Sequence, residues 1–264
     1  MERLSTYEQV VALTAHDPVA RWTIDPGSPI QAVARDGAVL WTTPREHYSE
    51  STWSTALGPV DAVAALVTDV LRDPGIARFV PTPAGVTVPH GAMALIPAEL
   101  RPPEFGDWIW WWTDEPPPRL PAEDDVQAVD LSDAKAREEL AALLVEANPH
   151  ASSSVEDPRV RTWAAMRVGG RLVACAADRP YEHGVAHLAS IATLPEQRGR
   201  GYGSAVTAWM TRRRLVDDEA AVVTLGMYAD NAPAHSVYER LGFRSEHRFT
   251  SGSLPPQQVP AAAG

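Results

Sequence analysis

Cysteine is almost missing. One residue, Cys175, in a chain of 264 excludes an intrachain disulfide and any metal site built from cysteines, and makes a reducing cytoplasm the expected compartment. Lysine is just as rare: Lys135 is the one lysine among 23 basic residues, so a nucleotide P-loop, which needs Gly-x-x-x-x-Gly-Lys-Ser/Thr, is excluded. No apolar run approaches the roughly 18 residues of a membrane span. Met1-Glu2-Arg3-Leu4-Ser5 leads into no apolar core, so neither an anchor nor a secretion signal is expected. Surplus positive charge is also absent. The net charge of −11 argues against general affinity for nucleic acid or anionic lipid.

What is present is unevenly spread. Residues 1–125 hold 18 acidic against 8 basic side chains, and seven of the nine tryptophans. Residues 126–264 are nearly neutral, with 16 acidic against 15 basic side chains. Such asymmetry points to two units with different tasks. The expected divide is 114–125, a stretch with four prolines and five carboxylates that reads as an extended linker. An N-terminal α/β domain is therefore expected over 1–113, a second domain over 126–250 and a frayed tail over 251–264.

The second half is the more legible. Val126–Leu131 reads as a strand, followed by a helix with Ser132 as N-cap and Ala136, Leu140, Leu143, Leu144 and Ala147 on one face. Two strands flank Gly169-Gly170, a hairpin signature. Then come a strand over 185–193, a helix from Tyr202, a β-rich run over 221–228, and a short helix capped by Asn231 and closed by Gly242. Phe243–Thr250 closes the order as a strand. This is a mixed, mostly antiparallel α/β sheet with helices on both faces. In the first half, Asp36-Gly37 marks a hairpin and residues 60–71 an amphipathic helix; 77–80, 91–96 and 107–113 read as strands.

The chemistry concentrates in the strand-to-helix turn Leu194-Pro195-Glu196-Gln197-Arg198-Gly199-Arg200-Gly201-Tyr202-Gly203-Ser204. Glycines let a ligand approach the backbone. The first N–H groups of the helix and its positive dipole end can hold a phosphate, and two arginines add charge. The glycine spacing is not the Gly-x-Gly-x-x-Gly of dinucleotide-binding folds. Instead the turn reads Arg-x-x-Gly-x-Gly. About 28 residues after Gly203 follows Asn231-x-x-Ala234-x-x-x-Tyr238-x-x-x-Gly242-Phe243.

These two motifs, in this order and at this spacing, resemble the GCN5-related N-acetyltransferase (GNAT) superfamily over residues 126–250. The resemblance implies an acyl-CoA fold and an acetyltransferase that uses acetyl-CoA as donor. The backbone of Arg198, Gly199, Arg200, Gly201, Tyr202, Gly203 and Ser204 is then expected to hold the pyrophosphate. Ile191, Ala192 and Thr193 are expected beside the pantetheine arm, with Asn231 near it. The gap for the thioester should open where this strand splays from the run over 221–228. Tyr238 matches the family tyrosine that protonates the departing thiolate, although a core tyrosine is the competing reading. His187 occupies the place of a catalytic glutamate and is the candidate base, with a water chain as the alternative. Glu146, His150, Glu156 and His183 are weaker candidates for the acceptor side, and His235 is expected to face solvent.

No catalytic metal is expected. Cys175 reads as small core packing. Trp108, Trp110 and Trp112 alternate with Ile109 and Trp111 along one strand, a core or a stacking platform. The first half resembles half of the same fold without its cradle, a degenerate copy. The expected function is acetyl transfer to a small-molecule or peptide amine, a cationic one on the charge argument. Transfer of another acyl group, or a sensor that binds acyl-CoA without turnover, are the alternatives. Nucleic-acid and membrane partners are not expected, and the oligomeric state is open.

Overall fold

The computed structural model describes residues 1–44, 52–181 and 184–255. The chain runs β1 (Glu2–Leu4), α1 (Tyr7–Leu13), α2 (Pro18–Thr23), β2 (Gln31–Arg35), β3 (Ala38–Pro44), β4 (Thr52–Leu57), α3 (Val60–Arg72), β5 (Gly85–Pro89), α4 (Ala92–Leu95) and β6 (Gly106–Thr113). It continues with β7 (Val126–Ala128), α5 (Ala134–Ala147), β8 (Thr162–Val168), β9 (Arg171–Asp178), β10 (Val185–Thr193), α6 (Tyr202–Arg212), β11 (Val222–Tyr228), α7 (Ala232–Arg240) and β12 (Arg244–Ser253).

Two compact units emerge: 1–109 with 247–264, and 110–246. The divide differs from the one expected at 114–125. The chain changes unit inside β6 and again inside β12, so the proline-rich stretch belongs wholly to the second unit. It is not a free spacer either. Residues 121–125 form a 3₁₀ turn, and Glu123, 3% exposed, meets the Arg212 guanidinium at 3.3 Å. Arg212 also donates to the Pro117 carbonyl at 2.7 Å. A buried carboxylate needs such a partner, and the pairing pins the stretch to α6.

In the first unit the strand order is β1-β2-β3-β4-β5-β12. Pairing is antiparallel except between β4 and β5. The β2–β3 hairpin turns on Asp36 and Gly37, both at positive φ (52° and 80°), the two-residue geometry that matches strand twist. Val63, Ala64, Leu66, Val67 and Val70 of α3 bury against Val33, Leu40, Ala56, Val86 and Val88. The residues read as strand over 91–96 are instead the short helix α4. Gly91, at φ 95°, starts the turn, and Ala92, Met93 and Ile96 bury on one side of it. Residues 76–78 are a 3₁₀ turn where 77–80 reads as strand.

The second unit has the order β6-β11-β10-β9-β8-β7. The pairs β7–β8, β8–β9 and β9–β10 are antiparallel, and β10–β11 is parallel. Gly169 and Gly170, at φ 58° and 85°, make the hairpin between β8 and β9. Helices α5 and α6 each pack on β9 and β10. The N-cap of α5 is Asp133, whose carboxylate accepts from Lys135 N; Ser132, expected there, bonds to Asp130. The run Arg212–Arg214 is structural. Arg213 lies over the Trp209 ring at 5.3 Å, and Arg214, 5% exposed, pairs with Asp178 and Asp218 at 3.2 and 2.9 Å. Strand β12 extends to Ser253, into the stretch expected to fray.

Candidate acyl-CoA site and its family

Two features of β10 shape the site. Its parallel ladder with β11 runs from Val185–Val222 to Leu188–Leu225 and stops, while β10 continues to Thr193 and β11 to Tyr228. Past Leu188 the β11-facing edge of β10 therefore has no ladder partner among the described residues. On the other side β10 carries a bulge: Ala189 faces Ala177, but Ala192 faces Cys175, so three steps oppose two. Ser190 sits in the bulge at φ 49°, a conformation rarely adopted by non-glycine residues. Its hydroxyl donates to Ser153 O at 3.1 Å and accepts from Ser153 N at 2.9 Å, which holds the bulge to the 148–161 loop. No glycine marks this position, so nothing in the sequence signals it. Cys175 is fully buried beneath, its thiol pushed up to about 12 by burial; it packs and does not react.

The turn after β10 is a short 3₁₀ piece, Pro195–Gln197, then Gly199 and Gly201 at φ 78° and 84°. Gly201 is the N-cap of α6 and offers no side-chain acceptor. Ala205 N is the first α6 amide to bond backward, to Gly201 O at 2.9 Å. The N–H groups of residues 199–204 consequently donate to no described residue. Gly203 is required for closeness: a Cβ there would lie 3.0 Å from Thr193 Oγ1, so α6 starts hard against the end of β10. Arg198 departs from expectation. Its N–H bonds to Pro195 O, and its guanidinium turns back to the carbonyls of Thr193 and Ala147 at 3.3 and 3.2 Å. It braces the turn against the end of α5. Arg200 is exposed and has no hydrogen bond or ion pair with a described residue.

Asn231 caps α7 by accepting from Ala234 N at 3.2 Å, with Pro233 in the first turn, as expected. Tyr238 is 6% exposed, its ring beside Trp111 (6.0 Å) and Phe243 (5.9 Å). Burial alone raises its pKa, so it stays a phenol at neutral pH. His235 is not simply in solvent: its ring meets Trp111 edge-on at 4.9 Å and its Nδ1 pairs with Glu239 at 3.3 Å. Trp110, Trp111 and Trp112 are all buried, so this part of β6 is core on both faces and not an open stacking platform.

His187 lies on β10 opposite Thr224, its Nδ1 3.0 Å from Thr224 Oγ1 and its ring 5.5 Å from that of Tyr181. The residue as a whole is half-buried. Burial and, secondarily, the nearby Arg179 charge push its pKa down to about 3. The imidazole is thus neutral across the physiological range, not poised near 6.5 as its type suggests. Glu146 is paired with Arg171 at 2.9 Å, while His150 and Glu156 are exposed. His183 lies outside the described residues. Among the described residues no group of three or more His, Cys, Asp or Glu could hold a metal ion.

An open helix start behind two parting strands, followed by the Asn231–Phe243 motif, is the geometry that the motifs imply. The profile of the Acetyltransferase (GNAT) family matches residues 107–243, just over half of the chain. The chain belongs to this family. Its sequence is 37% identical over 85 residues to mycothiol acetyltransferase of Mycobacterium avium (strain 104), a match covering 30% of this chain and 26% of that protein. The chain thus matches about a quarter of that relative's length. The GCN5-related N-acetyltransferase of Sphaerobacter thermophilus shares the fold, with TM-score 0.55 and 19% identity over 95% of this chain and 91% of that one. The corresponding protein of Kribbella flavida gives TM-score 0.51 and 20% identity over 88% and 91%. The likeness therefore extends into the strand-rich region before residue 107. No helix of the described residues is long and apolar enough to cross a membrane.

Proposed function

We propose that the chain is an N-acetyltransferase that moves the acetyl group of acetyl-CoA to an amine by direct attack, with no acyl-enzyme. The observation that carries this is the run of unspent amides over 199–204 at the start of α6. Buried or not, backbone donors seek partners, and six consecutive ones at a positive helix end suit a pyrophosphate. Gly199 to Ser204 would bind the phosphates, and Arg200 would add charge. The free edge of β10 over 189–193 would bond the pantetheine arm through its main chain and offer an N–H near Thr193 to the thioester oxygen, where negative charge develops.

In the step itself a C–N bond forms, the C–S bond breaks, and the proton lost by the amine replaces the one that the thiolate takes. Tyr238 supplies that proton as a phenol held protonated by burial. His187 is too weak a base to keep the amine's proton, so the proton leaves through water and the ring serves as a neutral hydrogen-bond acceptor. The acceptor is an amine, and the mycothiol acetyltransferase relative is in keeping with a small-molecule one. The intact Tyr238 motif favours turnover over a sensor that only binds acyl-CoA.

The test is ligand-induced stabilisation together with thiol release. Acetyl-CoA should raise the melting temperature, because a ligand bound only to the native state stabilises it. Free thiol should then appear when amines are supplied. Gly201→Val, which puts a branched side chain at φ 84°, should abolish the shift. A folded Gly201→Val protein with the full shift would overturn the cradle.

A further inference from the structure

The ladder between β10 and β11 places His187 directly opposite Thr224, one pair before it ends at Leu188–Leu225. Thr224 is fully buried. Its hydroxyl oxygen lies 3.0 Å from His187 Nδ1 and 3.2 Å from the Ala186 carbonyl oxygen. A threonine hydroxyl has one hydrogen, and a carbonyl oxygen can only accept. With that hydrogen on the Ala186 carbonyl, as the Thr224–Ala186 bond has it, the hydroxyl meets Nδ1 as the acceptor of an Nδ1–H. A neutral imidazole has a single N–H, so Nε2 is left as a bare lone pair.

We propose that Thr224 is a positioning residue that fixes His187 as the Nδ1–H tautomer, presenting Nε2 as a hydrogen-bond acceptor where β10 and β11 part. There Nε2 would take an N–H of the attacking amine, or an O–H of the water that removes its proton, and so turn the nitrogen lone pair toward the acyl carbon. No bond to the ring is made or broken. The hydrogen-bonded chain Ala186 carbonyl, Thr224 hydroxyl, His187 ring runs from rigid strand to half-buried side chain, so the ring orientation is set by the sheet. The charged and titratable groups beside the ring are Arg179 and Tyr181, from the turn between β9 and β10. Neither is placed on Nδ1, which leaves Thr224 as the group that decides the tautomer. The proposal rests on the acetyltransferase reading for its purpose, but not for its detection.

The experiment is ¹⁵N NMR of His187 in the full-length protein, without substrate, at pH 7. A protonated Nδ1 and an unprotonated Nε2 are expected. Thr224→Val, which keeps the shape and removes the acceptor, should shift the proton population to Nε2, and Thr224→Ser should restore the wild-type pattern. With acetyl-CoA and an accepted amine, Thr224→Val should lower kcat roughly tenfold, the worth of one hydrogen bond, with the KM for acetyl-CoA unchanged; Thr224→Ser should recover it. A wild-type ring protonated at Nε2, or a Thr224→Val enzyme with wild-type kcat, would overturn the proposal. If Thr224→Val fails to fold, the wild-type tautomer and the Thr224→Ser rate still decide it. Absence of transfer to any amine by the wild-type protein would count against the acetyltransferase reading instead, since the tautomer is read with no substrate present.

Discussion

At the scale of single residues, environment outranks residue type. The imidazole of His187 has the right identity for a base near neutrality, yet burial lowers its pKa to about 3, which argues against that role. Tyr238 moves the other way: the same physics raises its pKa and preserves it as a donor. Its motif position was legible in the sequence, and so was its apolar helix face, but not the Trp111 and Phe243 rings that hold it. Tyr238→Phe keeps the ring and its packing and loses only the hydroxyl. It should keep acetyl-CoA affinity, read as an unchanged melting shift, and lower kcat by roughly ten- to a thousandfold if general-acid help is lost. Wild-type turnover in Tyr238→Phe on an accepted amine would remove the residue from the mechanism. Arg198 teaches the same lesson from geometry. Its charge beside a phosphate cradle invites a phosphate role, but its guanidinium is spent on the Thr193 and Ala147 carbonyls.

At the scale of elements, what the sequence shows clearly is what local chemistry decides. Asp36-Gly37 and Gly169-Gly170 announced their hairpins because few other pairs tolerate two positive φ values. Asn231, Pro233 and Gly242 announced α7 through its caps. Strands β4 and β5 were missed because their cues are tertiary. Gly85 and Pro89 bound β5, residues that normally argue against a strand. Gly85 is there because the Trp53 indole lies across it, occupying the place where a Cβ would be, while Trp53 Nε1 donates to Thr87 Oγ1 at 2.8 Å, further along the same strand. The Ser190 bulge was hidden for the same reason: its positive φ is held by two bonds to Ser153, 37 residues away. The argument for β5 can be tested. Gly85→Ala should drive a methyl group into the indole and destabilise the first unit by about 1–3 kcal/mol, the usual cost of overpacking. Thermal or urea unfolding would measure it. The double variant Gly85→Ala with Trp53→Phe should recover part of the loss, because the smaller ring leaves room.

At the scale of the whole molecule, charge is the property that no single contact explains. Composition alone revealed the acidity of residues 1–125 and suggested two units. It placed the boundary wrongly, because the proline-rich stretch looks like a spacer until Glu123 and Arg212 are seen together. The net charge of −11 has a consequence for the acceptor that does not depend on where the boundary lies. A negative field over the protein raises the encounter rate of cations and lowers that of anions. An alkylamine arrives as a cation, since its pKa is near 10, and is deprotonated only for attack. The field therefore favours its arrival while opposing its proton loss, and the first effect should dominate the apparent KM when chemistry is slow. Salt screens exposed charges over about 10 Å at 0.1 M and about 3 Å at 1 M. For a cationic amine, raising ionic strength across that range should raise the acceptor KM and leave kcat nearly unchanged. Acetyl-CoA, an anion, should respond less simply, because in the proposed cradle its phosphates would meet the local positive end of α6 as well as the overall negative field. Steady-state kinetics at several salt concentrations, with a cationic amine and a neutral analogue of the same size, separates these effects. An acceptor KM indifferent to salt, or a preferred acceptor carrying net negative charge, would show that the acidity plays no part in substrate capture.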